Sequence, residues 1–164
     1  KTSGAKVIVV EPLPKRQVIA RRYGADYVID PTAVDLVAEV SRLTDGRMGT
    51  VVVEATGNDK AIASLFDVAG HSARVRLIGH SIGRKVPVEI GKTIWRTLSI
   101  SGSGGTKNFA QRTIRFMSAI KDKYDFAALN THYYPFDKID EAFDVACKLK
   151  SDAFKVMLDF GLKD

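Results

Sequence analysis

Residues Ala5 to Asp30 read AKVIVVEPLPKRQVIARRYGADYVID, and their reading decides the fold. Lys6 to Val10 is an apolar, β-branched run, the pattern of a strand buried on both faces of a parallel sheet. Glu11 ends the run, so its carboxylate stands at the carboxyl end of the strand, where open α/β sheets bind ligands. Pro12 and Pro14 suit a turn and a helix start, because the first helical N–H groups have no partner to lose. Leu13, Gln17, Val18, Ala20, Arg21 and Tyr23 keep a helical rhythm, and Gly24 supplies the stop. Tyr27 to Ile29 then begins a second short strand.

The alternation continues. Val34 to Leu43 carries apolar residues at helical spacing, Thr50 to Glu54 is a third buried strand, and Ala61 to Val68 is a helix stopped by Gly70. Val75 to Ile78 is a fourth strand ending at Gly79. Lys85 to Ile90 has period-two character around Pro87, and Leu98 to Ser101 is a further strand, with no crossover-length helix between the two. Phe109 to Lys121 is helical, Thr131 to Tyr134 extended, Ile139 to Leu149 an amphipathic helix and Phe154 to Phe160 a terminal strand. Strands and helices alternating at these lengths predict an α/β fold with a mostly parallel, doubly wound sheet of Rossmann type. In such a domain an acid at the position of Glu11 accepts hydrogen bonds from the adenine ribose diol of NAD, and its charge repels the extra phosphate of NADP. Position alone does not separate that role from an ordinary solvated loop acid.

The chain has 164 residues, 45% of them hydrophobic and 27% charged, an ordinary balance for one globular domain with its own core. No stretch approaches the roughly 18 to 20 apolar residues of a membrane span, and KTSGAK lacks signal-peptide architecture, so the expectation is a cytoplasmic protein. The net charge of +6 raises nucleic acid as a partner. Lysine and arginine are spread among acids, however, with no aromatic-interleaved basic stripe, so neither nucleic acid nor membrane is expected. The single cysteine, Cys147, reads as a small packing residue, and His71, His80 and His132 lie too far apart for a metal site.

Gly79-His80-Ser81-Ile82-Gly83 is a literal G-x-S-x-G after an apolar strand, and Ser81, Asp125 and His132 follow in hydrolase order. A nucleophile elbow needs a helix directly after the serine. Arg84 to Ile90 instead reads as extended, which disfavours a serine hydrolase. Gly102-Ser103-Gly104-Gly105-Thr106-Lys107 has neither Walker A nor G-x-G-x-x-G spacing and suits a flexible turn equally well.

Taken together, Gly4 to Glu11 (GAKVIVVE), Arg21 to Pro31 (RRYGADYVIDP), Leu43 to Gly46 (LTDG), Val53 to Gly57 (VEATG), Leu77 to Gly79 (LIG), Tyr134 to Phe136 (YPF), Ile139 to Phe143 (IDEAF) and Lys155-Val156 resemble the cofactor domain of the medium-chain, zinc-dependent alcohol and polyol dehydrogenases. The resemblance covers essentially the whole chain and implies reversible NAD-linked oxidation of an alcohol or polyol. It places Glu11 on the adenine ribose diol with Arg16 supporting the ribose, Thr56 and Gly57 along the adenosine side, and Ile78, Gly79 and His80 under the nicotinamide ring. Ser101 and Ser103 approach the carboxamide from the next strand, and Lys155 sits near the pyrophosphate, although a plain surface lysine reads as well there. Residues 86–102 would join two subunits, giving a homodimer or tetramer. A zinc-free quinone-type reductase of the same superfamily is the alternative.

In that family the glycine-rich loop precedes the acid by about 20 residues, whereas ten residues precede Glu11. The resemblance therefore implies that residues 1–164 form a partial NAD-binding domain lacking the first strand, with the catalytic domain, its zinc and the substrate site elsewhere, and the fragment alone inactive. In the strand order 3-2-1-4-5-6 the missing strand is central. An additional chain or a disordered segment filling that slot, or a rearranged sheet, is expected to satisfy the backbone groups it leaves.

Overall fold

The computed structural model describes residues 1–79, 82–104, 109–148 and 153–161. They form two compact units, one of residues 29–106 and one of residues 1–28 with 107–164.

The unit of residues 29–106 is built on a three-stranded sheet, β3 (Gly49–Glu54), β4 (Ala69–Leu77) and β5 (Ser99–Gly102), in the order β3-β4-β5 with both pairings parallel. Val52 pairs with Val75, Glu54 with Leu77, and Leu77 with Gly102, so the carboxyl ends of the strands finish side by side. Helix α2 (Leu36–Leu43) starts at Asp35, whose carboxylate accepts from the Ala38 N–H at 2.9 Å. Helix α3 (Asp59–Val68) starts at Asn58, whose Oδ1 accepts from the N–H groups of Lys60 and Ala61 at 2.9 and 3.3 Å. These side chains satisfy donors that every helix start leaves open. Ile62, Leu65 and Phe66 of α3 pack on Ala69, Ala73 and Val75 of β4 as the core of the unit.

Helix α3 ends without a glycine stop. Gly70 is the second residue of β4, and a side chain there would meet the Arg47 carbonyl oxygen at 2.3 Å. The last carbonyls of α3 are taken instead by Arg96, after the five-residue α4 (Gly91–Trp95). Its Nη1 donates to the carbonyls of Phe66, Asp67 and Ala69 at 2.7, 3.1 and 2.8 Å. Lys92 ties α4 to the same corner through Asp67 and Glu89, and these partners hold its ammonium pKa above the ordinary lysine value. Arg96→Met should therefore lower stability by about 1–2 kcal/mol, because the helix-end carbonyls lose a charged donor at a partly solvated site. A lower urea midpoint at constant m-value is the expected result; an unmoved midpoint would show that water serves those carbonyls equally well.

The sequence pattern suggested strands buried on both faces, and β3 departs from it. Val52 and Glu54 face the core, whereas Val51 and Val53 are 50% and 56% exposed. Their register partners Arg74 and Arg76 are exposed as well, and Ser99 and Ser101 continue this open face onto β5. Residues 85–90 form no strand, in contrast to the period-two expectation. Pro87 has no N–H to give a ladder.

The unit of residues 1–28 and 107–164 holds α1 (Pro14–Arg22), α5 (Ala110–Ile120), α6 (Ile139–Cys147) and the parallel pair β6 (Asn130–Pro135) and β7 (Lys155–Asp159). The pair β1 (Ile8–Val10) and β2 (Tyr27–Ile29) begins in it. Gly24 closes α1 at φ +88°, with the Ala25 N–H returning to the Ala20 carbonyl at 3.0 Å. Tyr23 stacks on Tyr124 at 6.2 Å between ring centroids.

The neighbours β2-β1 and β3-β4-β5 are those of the order 3-2-1-4-5-6 with its first strand omitted.

Candidate functional site

At the carboxyl end of β1, Glu11 is half-buried and its Oε1 accepts the Leu13 N–H at 2.9 Å. Its backbone carbonyl accepts Gln17 Nε2 at 2.8 Å. The first turn of α1 thus fixes the acid from both ends and leaves Oε2 with acceptor capacity. Arg16, in that same turn, has a buried Nε without a hydrogen-bond partner among the described residues. An acceptor brought by a ligand could satisfy such a donor. Lys155 opens β7 as an exposed residue opposite Asn130, and no described contact directs its ammonium toward a site.

In the unit of residues 29–106, the strand ends bring Thr56, Gly57, Ile78 and Gly79 together. The Ile78 N–H donates to the Glu54 carbonyl at 2.8 Å, extending the ladder past β3. Gly57, at φ +65°, lies so close to Gly79 that a Cβ on it would fall 1.9 Å from the Gly79 carbonyl oxygen. A Cβ on Gly79 would fall 2.4 Å from the Gly57 nitrogen. Two bare peptides therefore meet at the tips of β3 and β4, with Gly57 buried in the contact, so a side chain on either would force the strand ends apart. From β5, the Ser103 N–H donates to the Leu77 carbonyl at 2.9 Å, and Ser101 Oγ accepts from Arg76 on the open face. His80, Ser81 and the 105–107 part of the glycine-rich turn lie outside the described residues.

Two further residues hold this corner. Glu54 is 4% exposed, and its Oε1 accepts the Thr56 N–H, the Thr56 hydroxyl and the Gly57 N–H at 2.7, 2.6 and 3.0 Å. Arg84 donates to the Gly57 carbonyl at 3.2 Å and pairs with Asp59. Neither was singled out from the sequence, although one signal was available: both apolar runs, VIVVE and TVVVE, end in an acid.

The arrangement is wrong for a hydrolase elbow. Residues 82–90 are not helical and α4 begins only at Gly91, so no helix follows directly on Ser81 among the described residues. Among those residues there is also no group of three or more His, Cys, Asp or Glu able to hold a metal ion, so they do not fit a zinc site. No described helix is long and apolar enough to cross a membrane.

The family model for zinc-binding dehydrogenases matches residues 1–120. L-threonine 3-dehydrogenase of Pyrococcus horikoshii is 35% identical over 148 residues, which cover 88% of this chain and 42% of that protein. The chain thus spans less than half the length of such relatives. Among solved structures, a putative alcohol dehydrogenase from Thermotoga maritima is 27% identical with a TM-score of 0.78, over 94% of this chain and 40% of its own. A short chain alcohol dehydrogenase from E. coli CFT073, complexed with NADH, shares the fold at a TM-score of 0.84 and 23% identity, over 96% of this chain and 45% of its own. With the strand neighbours, the glycine contact and a family match over most of its length agreeing, the chain belongs to the zinc-binding dehydrogenase family.

Proposed function

We propose that this chain is the cofactor-binding part of an NAD-dependent oxidoreductase that oxidises an alcohol or polyol, the catalytic groups and zinc being supplied outside residues 1–164. The observation that carries the reading is Glu11, an acid held by its own helix start at the carboxyl end of a strand. Bound NAD supplies the hydride acceptor. The chain's own residues do the rest: Glu11 accepts from the ribose diol, and Arg16 offers its free Nε beside it. Thr56 and Gly57 line the adenosine side. The peptides of Ile78 and Gly79, with His80, support the nicotinamide, and Ser101 and Ser103 approach its carboxamide. Lys155 adds a cation for the pyrophosphate. The name borne by the Pyrococcus relative, a threonine 3-dehydrogenase, fits the alcohol class.

Calorimetric titration of the protein with NAD and with NADP tests this. A clear preference for NAD is expected, and a preference for NADP would overturn the role of Glu11.

The same reading includes assembly through residues 86–102. Strand β5 is an edge of its sheet among the described residues, Ile100 on it is 37% exposed, and Ile94 and Trp95 just before it are each 79% exposed. A second copy pairing along β5 would cover both the open edge and these side chains. Trp95→Glu should lower the mass found by light scattering, and a mass equal to that of the unaltered protein would place the interface elsewhere.

A further inference from the structure

Glu54 is a buried acid that, among the described residues, engages one of its two oxygens. Three donors converge on Oε1, all from Thr56 and Gly57. Oε2 is enclosed and has no partner among the described residues. Burying a half-satisfied carboxylate costs stability. A neutral side chain of similar volume would serve the core as well or better. What the carboxylate does achieve is local. It gathers the 55–57 turn onto a single anionic oxygen, while Arg84 takes the Gly57 carbonyl from the other side at 3.2 Å. The Gly57 peptide is thereby held at both its N–H and its C=O where it abuts Gly79.

We propose that Glu54 is a positioning residue of the nucleotide site: acting through the Thr56–Gly57 turn, it fixes the paired-glycine contact at the strand ends, and with it the exposed Thr56, beside which the cofactor rests. The inference builds on the NAD-binding reading above. A glutamine cannot fully replace the acid. Its carbonyl oxygen is a weaker, neutral acceptor for three donors.

Glu54→Gln is the variant of choice, followed by amide hydrogen exchange, thermal unfolding and NADH titration on the protein. Exchange at the Thr56 and Gly57 amides is expected to quicken by about tenfold or more, since charge-assisted hydrogen bonds are the strong ones. NADH affinity should fall by about tenfold, while Tm stays level or rises because a buried anion has been removed. Opposite movements of affinity and Tm are what a merely structural role would not give. Exchange accelerating evenly across β3 and α3, with Tm and affinity falling together, would overturn the proposal, and so would unaltered exchange at the two amides or unaltered affinity.

Should Glu54→Gln not fold, Thr56→Val removes one of the three donors and, with it, the acceptor of the Asn58 N–H. Exchange quickened at the Gly57 amide beyond the rest of β3 supports the proposal, and unaltered exchange at that amide refutes it. If the unaltered protein binds no NADH, the cofactor reading fails, and the exchange result alone then decides whether Glu54 fixes the turn.

Discussion

Gly57→Ala should cost about 3 kcal/mol or more of stability and abolish measurable NADH binding. The added methyl would sit 1.9 Å from the Gly79 carbonyl oxygen, far inside contact distance, so the tips of β3 and β4 must separate. The residue also holds φ +65°, a conformation in which an L side chain adds strain of its own. Both penalties act on the one turn whose N–H groups Glu54 gathers, so stability and binding should fall together. Gly91→Ala is the control: a Cβ there meets nothing within 4 Å, and alanine at a helix start should be neutral or stabilising by up to about 1 kcal/mol. Urea unfolding and NADH titration of the two variants check the contrast. Equal midpoints would mean that the strand ends are not as close as the glycine contact requires.

Glu11→Ser is expected to weaken NAD binding by about tenfold to a hundredfold, the range for losing hydrogen bonds to a charged group, and to raise the relative affinity for NADP. The first effect follows from removing an acceptor for the ribose diol. The second follows from removing a negative charge beside the 2′ position. Stability should change little, because among the described residues the acid's side chain makes the short-range Leu13 bond within its own turn and no other. Binding of both dinucleotides measured by calorimetry separates the two effects. An unaltered NAD-to-NADP ratio would detach Glu11 from cofactor choice even if overall affinity fell.

The sequence was most informative where one physical signal dominated. The strand tip at Glu11, the helix starting at Pro14 and the stop at Gly24 each rest on a local rule, and all three appear in the structure. Strand β4 was legible only in its second half. Its start, Ala69-Gly70-His71-Ser72, carries a glycine that mimics a helix terminator, and the fold uses that glycine for a close approach to Arg47 instead. The alternation Ala73, Arg74, Val75, Arg76, Leu77 was a clean half-buried strand pattern. Residues 85–90 misled in the other direction, because period-two character without a free N–H at Pro87 does not make a ladder. The site itself was legible residue by residue but not as an assembly. That Thr56, Gly57 and Gly79 touch depends on the parallel register of β3 with β4, and the importance of Glu54 on its burial; neither can be read from spacing.

The open face of β3 and β4 has a colloidal consequence. Two valines lying bare on neighbouring rungs are a seed for sheet-to-sheet adhesion, yet each stands directly across from a guanidinium, Val51 from Arg74 and Val53 from Arg76. Any second sheet of the same kind approaching that surface must bring like charges together and strip them of water before the methyl groups can meet. The protection is electrostatic at long range, so it reaches only about 8 Å at physiological ionic strength and shrinks as salt is added.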